Sequence, residues 1–418
     1  MSQGTAYIIG AGLAGLSAAV ALAGRGRRVE LIEGAAQPGG RCRSYFDPQL
    51  GMTIDNGNHL VLSGNRAVMD YLGRIGASDR LAGPDKAEIA FADLASGERW
   101  TVRPNDGPLP WWIFDTRRRA AGTGPADYLG LVSLLHPPGG RRVDQVLTCR
   151  GPVWERLMDP FLLAVLNTRP EDGSADLAAA VMRETLAKGG AACRPRIASP
   201  TLAAAFIEPA VAYLEAHGGR LRCGRRARAL RYEDAEVTAV QLPDEEIAVG
   251  AKDSVIVAVP PWQAGELIPD VSAPDEFRAI VNAHFKVEPP AGLEPMLGLI
   301  GGTAEWIFVF PDRISVTVSA ADRLLETDRE ALALTLWEDV AQAHGLSADL
   351  PPWQIVKERR ATFAATPAQN ERRPGARTVW RNLFLAGDWT DTGLPATIEG
   401  ALRSGETAAD LVLSAKVV

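Results

Sequence analysis

The sequence predicts an α/β chain in which a parallel-sheet domain is assembled from separated segments, with an α+β domain carrying a mixed sheet inserted into it. Three observations predict this. The first residues run strand, glycine loop, helix, strand; a fully apolar strand returns at Ser254–Val259; and another strand with a long helix closes the chain at Asn382–Leu413. Between them lies material of a different character, bearing Pro and Trp and mixing strands with helices.

Thr5-Ala6-Tyr7-Ile8-Ile9 is a short apolar run ending at glycine, the pattern of a strand buried on both faces of a parallel sheet. Gly12–Ala23, rich in Ala and Leu, closes on Gly24 and Gly26 and predicts a helix with a glycine stop. Arg28–Glu33 begins by alternating and then turns apolar, which predicts the second strand. Arg220–Cys223 and Ala227–Arg231 predict strands of a meander, and Pro260-Pro261 stops the Ser254–Val259 strand. Asp176–Ala187 and Arg329–Ala343 read as helices, Trp306–Phe310 and Arg313–Val318 as strands. Asp322–Asp339, with acids and leucines at helical spacing, reads as a solvated amphipathic face. The expected division is residues 1–83, 191–265 and 377–418 in one domain, and 84–190 with 266–376 in the other.

Composition narrows the function. With 46% hydrophobic and 23% charged residues the chain has an ordinary globular mixture, not a disordered one. Its 44 Lys and Arg against 51 Asp and Glu leave a formal charge of −7, which argues against nucleic acid as a partner. Cys42, Cys149, Cys193 and Cys223 are far apart, without CxxC or a Cys/His cluster. A disulfide framework and a metal site are therefore not expected, and reduced thiols in the cytoplasm are. The apolar run Ala6–Ala23 is full of glycine and lacks a basic flank, so it reads as fold and not as a leader.

Gly10-Ala11-Gly12-Leu13-Ala14-Gly15 is GxGxxG after a strand and opening a helix, the Rossmann-type arrangement for a dinucleotide. Gly10 permits the tight turn, Gly12 lets a pyrophosphate approach the backbone, and Gly15 lets helix pack on strand. The helix N-terminus then faces the phosphates. Glu33 ends the second strand, where a carboxylate accepts from a ribose. Gln37-Pro38-Gly39-Gly40-Arg41 follows, offering a second close backbone approach and a fixed cation, an element that nicotinamide dehydrogenases lack there. Gly387-Asp388 follows the last strand, placing an acceptor for ribityl hydroxyls. Ala396–Ala401 opens the last helix, whose free N–H groups suit the electron-rich edge of a reduced flavin.

These stretches resemble the FAD-dependent amine oxidase superfamily, which includes monoamine oxidases, protoporphyrinogen oxidase and the carotenoid desaturases. The resemblance runs through Gly10–Arg41, Asp55–His59, Ala227, Ala258–Pro260 and Gly387–Ala401. It implies non-covalent FAD, with the pyrophosphate on Gly12, Leu13, Ala14, Gly15, Gly40 and Arg41, and the ribose on Glu33. It further implies adenine near Ala227, ribityl and flavin on Gly387, Asp388, Thr397 and Ile398, and the isoalloxazine beside Gly57, Asn58 and His59. No cysteine lies near Asp388–Ala401 to attach the flavin, and Cys42 reads as a packed side chain. Pro395, Ala396 and Thr397 stand where amine oxidases carry an aromatic ring, and a rough alignment of Ile280–Lys286 puts a hydrophobic residue in place of their lysine. An amine substrate is therefore not expected.

Several stretches are similar to one branch, the hydroxysqualene dehydroxylases of hopanoid and carotenoid pathways: Ile54–His59, Ala164–Thr168, Val257–Trp262, Pro295–Leu299, Lys357–Pro367 and Ala386–Thr397. The branch implies reductive loss of a hydroxyl from an isoprenoid lipid, hydroxysqualene, to give squalene. It also implies an external electron donor such as NAD(P)H and association with other squalene-pathway enzymes. A carotenoid-type desaturase or another oxidase of this fold, and a non-redox flavin-dependent isomerase, are the alternatives. Loss of water needs a proton donor within hydrogen-bond reach. His59, ordinarily titrating near neutrality, is the first candidate and Asp391 the second, while Asp55 reads as a turn cap. Leu109–Phe114 with Arg117–Arg119, within residues 107–119, pairs apolar with basic side chains and is expected to contact a membrane peripherally.

Overall fold

In a computed structural model of the protein, which describes residues 4–414, five strands drawn from three separated parts of the chain form one parallel sheet. Its order is Arg220–Arg222, Arg28–Ile32, Thr5–Ile9, Ser254–Val257, Leu383–Leu385. Every pairing is parallel, with Ile8 opposite Leu31 on one side and Ile256 on the other. Continuous apolar runs are what such a sheet requires, because helices cover both faces. All eleven residues of the Leu13–Ala23 helix are buried, and the Ile398–Ser414 helix packs on it so closely that a Cβ on Gly405 would lie 2.2 Å from the Ala14 carbonyl oxygen.

The meander is real, but it consists of Ala229–Glu233, Glu236–Gln241 and Glu246–Ala248. Arg220–Arg222, expected in it, is instead the edge of the parallel sheet, pairing with Arg28–Ile32. The reason is the Glu208–Ala216 helix just before it: a crossover helix returns the chain parallel to an existing strand, and an Arg-Leu-Arg triplet suits an edge.

The second sheet has seven strands, in the order Trp353–Phe363, Phe277–Lys286, Arg313–Val318, Trp306–Phe310, Met296–Ile300, Ile89–Asp93, Arg99–Val102. It is mixed, because Met296–Ile300 and Ile89–Asp93 run parallel while the other neighbours are antiparallel. One face is covered by the Arg329–His344 helix, which buries Leu332, Leu336, Trp337 and Val340. The 322–339 stretch is therefore more than a solvated face, since burial of one flank gives that helix its place. Phe91, Trp100, Trp306 and Phe308 line the opposite face beneath the short helices of residues 111–166.

The Trp111–Phe114 turn divides its apolar residues. Trp112 and Ile113 are buried, Trp112 edge-on to Tyr128 at 5.2 Å, whereas Trp111 (65%) and Phe114 (63%) are exposed. The basic run is likewise not free as a whole. Arg118 donates to the Arg103 carbonyl, Arg119 to that of Ile113, and Arg117 pairs with Asp115. Leu109, Leu129 and Val132, each more than 60% exposed, extend the apolar surface that Trp111 and Phe114 begin.

Candidate active site

Three backbone loops converge at the carboxyl ends of the parallel strands. Gly10 has φ +104°, and a Cβ there would come 2.5 Å from the Ala258 carbonyl oxygen. A Cβ on Gly15 would fall 1.9 Å from the Gly10 oxygen, so this position holds helix against strand. A Cβ on Gly12 meets nothing within 4 Å. The glycines are thus distinct: two are demanded by the protein's own packing, and the third borders open space at the N-terminus of the Leu13–Ala23 helix. That space, with Leu13, Ala14 and Gly15 presenting unpaired N–H groups in the first turn, fits a pyrophosphate.

The second glycine element closes on the first. Gly39 (φ +114°) donates its N–H to the Ala11 oxygen at 2.8 Å, and a Cβ on Gly40 (φ +55°) would lie 3.4 Å from Gly12 Cα. Glu33 is fixed by two backbone donors, Ala11 N–H and Ala35 N–H, each at 2.7 Å. Arg225 N–H bonds the Glu33 carbonyl at 2.8 Å, tying the segment that leads to Ala227 to the end of the second strand. Thr397 Oγ1 accepts from Gly400 N–H at 3.0 Å, so its hydroxyl caps the last helix, which Ile398 begins.

Arg41 and Asp388, read from sequence as serving separate parts of the cofactor, are bonded to each other: Arg41 Nη2 to Asp388 Oδ1 is 2.7 Å. Arg41 also donates to the Ala361 carbonyl. A buried residue that sequence reasoning missed, Arg373, holds the loop after Asp388, donating to the carbonyls of Asp388, Trp389 and Thr390 and to Thr392 Oγ1. Nothing in its local sequence marks it, because its partners lie on a neighbouring loop. Burial lowers its pKa to about 10, which leaves it charged at neutral pH. A side chain on Gly387 would meet the indole of Trp389, whose Nε1 donates to the Val259 oxygen at 2.9 Å. Beside the Arg41–Asp388 pair lies a small pocket walled by Pro260, Trp262, Phe277, Arg360 and Phe363.

His59 lies against this pair but does not titrate near neutrality. Burial first, and the Arg41 charge second, push its pKa down to about 4, so its ring is neutral at pH 7. Asp391 is exposed at the rim, its N–H bonded to the Pro374 oxygen, which is a poor place to hold a proton donor for a dry reaction. Asp55 accepts from Ser44 Oγ at 2.6 Å and Leu202 N–H at 2.9 Å, a structural cap as expected. Burial pushes the Cys42 thiol up to about 12, so it is a packed side chain and no thiolate.

The 55–59 segment rests on the large sheet. His284 bonds the Asp55 oxygen through Nε2 at 3.0 Å and Ser315 Oγ through Nδ1 at 2.8 Å. A Cβ on Gly57 would lie 2.8 Å from Asn282 Nδ2. Within Ile280–Lys286, Asn282 and His284 face the loop, and Glu358 reaches it from the neighbouring strand, accepting from Asn56 Nδ2 at 3.3 Å. The Asn58 amide, expected at the cofactor, turns toward Thr317.

Residues 13–413 match the flavin-containing amine oxidoreductases, and the chain belongs to that family. Its flavin and the dinucleotide cradle together make it an FAD-dependent oxidoreductase. The hydroxysqualene dehydroxylase of Rhodopseudomonas palustris is 53% identical over 98% of this chain and 99% of its own length. That of Zymomonas mobilis is 49% identical over 98% and 99%. Among solved structures, an oxidoreductase from Methanosarcina mazei superposes with TM-score 0.72 over 97% of this chain and all of its own, at 14% identity, a likeness of fold alone.

Two outcomes follow from this geometry. Gly12→Val should fold with a near-normal thermal midpoint yet purify with less than a tenth of the wild-type flavin, while Gly15→Val should fail to give soluble protein. Flavin absorbance and circular dichroism of both variants check this. The second outcome is acid lability. His59, with a folded pKa of about 4 against an ordinary 6.5, takes up a proton on unfolding within that window, so stability is lost as pH falls from 6.5 to 4. His284, lowered to about 3 chiefly by burial, acts in the same direction. His59→Gln should show a shallower fall of the thermal midpoint between pH 7 and 4.5 than wild type, and equal slopes would contradict the assignment.

Proposed function

We propose that this chain removes the hydroxyl of hydroxysqualene reductively, forming squalene and water. The observation that carries the reading is near-full-length similarity, at 53% and 49% identity, to two hydroxysqualene dehydroxylases. From the sheet, the His284 imidazole, the Asn282 amide and the Glu358 carboxylate reach the 55–59 segment.

FAD, when bound and fully reduced, would supply the two electrons as a hydride and, with solvent, the proton that lets the hydroxyl leave as water. The protein's part is to bind and orient. Gly12, Leu13, Ala14, Gly15, Gly40 and Arg41 hold the pyrophosphate, Glu33 the ribose, Ala227 the adenine side, and Gly387, Asp388, Thr397 and Ile398 the ribityl and ring. Arg41 answers the phosphate charge while Asp388 keeps it aimed. His59, neutral at working pH, offers a ring N–H to the leaving oxygen instead of carrying a ready proton; burial of this region keeps that hydrogen bond out of competition with water. The external electron donor is a nicotinamide nucleotide on this reading, and the other enzymes of squalene formation are its functional neighbours.

The substrate is almost insoluble, so delivery from a bilayer is part of the proposal. No helix among the described residues is long and apolar enough to cross a membrane. Leu109, Trp111, Phe114, Leu129 and Val132 are exposed, and Leu131, next to Val132 in the chain, lines a pocket together with Leu147, Trp154 and Met158. Burying a few hundred Å2 of such surface at about 25 cal/mol per Å2 contributes several kcal/mol before immobilisation costs, which suits reversible docking.

Anaerobic addition of hydroxysqualene to the photoreduced enzyme should reoxidise the flavin and yield squalene by mass. New conjugated double bonds would mean desaturation, and unchanged mass with altered geometry isomerisation. In liposome flotation, Trp111→Ser/Phe114→Ser should lose most of the bound fraction at unchanged flavin content. Undiminished flotation of that variant would place the lipid contact elsewhere.

A further inference from the structure

On the sheet face that meets the 55–59 segment, aromatic side chains give way to polar ones. Thr317 stands between Trp306 on one neighbouring strand and Asn282 on the other, directly opposite both, so the three side chains share that face. Thr317 Oγ1 donates to Asn282 Oδ1 at 2.8 Å. Asn58 comes down onto this pair from the loop. Its Nδ2 donates to Thr317 Oγ1 at 3.1 Å and to the Val316 oxygen at 3.4 Å, and its backbone N–H donates to Asn282 Oδ1 at 3.3 Å.

The chain of donors and acceptors ends on one atom. Asn58 Oδ1 is enclosed and has no donor among the described residues. Reversing the amide does not cure this, because it would turn the oxygen against the Val316 carbonyl and orphan the nitrogen. Neighbouring side chains on this face include Trp306 and Phe308, both buried and apolar. An acceptor kept from water without a partner is destabilising, and its natural complement in an apolar setting is one O–H. His59 is the next residue on the same short loop.

We propose that Asn58 Oδ1 receives the hydroxyl hydrogen of the substrate alcohol, with Thr317 and Asn282 holding the amide in place. The proposal rests on the reading of a hydroxylated isoprenoid substrate and adds how the alcohol is told from the hydrocarbon. A C30 alcohol has a single polar handle, and its product has none. A site that bonds that handle aligns one carbon out of thirty, and it releases the product once the oxygen has left as water.

The test compares the affinities of hydroxysqualene and squalene, each presented in detergent micelles and followed by quenching of flavin fluorescence in the oxidised holoenzyme, where no turnover occurs. Wild type should bind the alcohol about tenfold tighter, the worth of one net buried hydrogen bond. Asn58→Leu should bring the ratio to about one with squalene affinity kept, and Thr317→Val should lower it several-fold. Flavin content and thermal midpoint report whether each variant is folded; should Asn58→Leu fail to fold, Thr317→Val decides alone. Equal binding of alcohol and hydrocarbon by wild type, or an undiminished ratio in the folded variants, overturns the proposal. Absence of squalene from the single-turnover reaction, with the binding ratio intact, would overturn the functional reading and leave the alcohol-recognition site standing.

Discussion

The bond between Arg41 and Asp388 joins two loops 347 positions apart in sequence, and the site's arrangement depends on it. The Asp388 side chain is nearly buried while that of Arg41 keeps an exposed edge, so the pair points its cation outward from a fixed carboxylate. Losing Arg41 would leave a carboxylate enclosed without its partner, which costs more than the pair itself contributes. Arg373 completes the clamp from the other side. It donates to backbone carbonyls instead of forming an ion pair of its own, so it fixes the loop's shape and leaves Asp388's charge to Arg41.

Around that bond, glycine is used for two different ends. At Gly10, Gly15 and Gly387 a side chain would strike neighbouring protein, so these positions are fixed by packing whether or not a cofactor is present. Gly12 is different, since the protein leaves its missing side chain as open space. Gly10 and Gly15 thus answer to the packing of helix on strand, and Gly12 to the space a dinucleotide would occupy.

The other half of the site comes from the second sheet. Asn282, His284 and Thr317, with Ser315 behind them and Glu358 on the next strand, form a polar zone on the face that meets the 55–59 loop and bind that loop through hydrogen bonds. A wholly apolar sheet could bury the loop, but it would not fix its height or register, because dispersion contacts are not directional. The polar zone does so.

The sequence by itself determined the parallel sheet, its glycine loops and the carboxylate of Glu33, because these rest on local rules: continuous apolar runs, glycine before a helix, an acid at a strand end. Motif spacing likewise made the flavin legible from Gln37–Arg41 and the last helix. What it did not determine is whatever depends on neighbours far away in the chain. Arg220–Arg222 has the same alternation whether it lies in a meander or at a parallel edge, and only the preceding crossover helix decides. The protonation of His59, the bonding of Arg41 to Asp388, the turning of Asn58 toward Thr317 and the burial of Trp112 beside an exposed Trp111 carry no local signature. Each is fixed by burial and by partners brought together in three dimensions, where desolvation and hydrogen-bond geometry outweigh residue type.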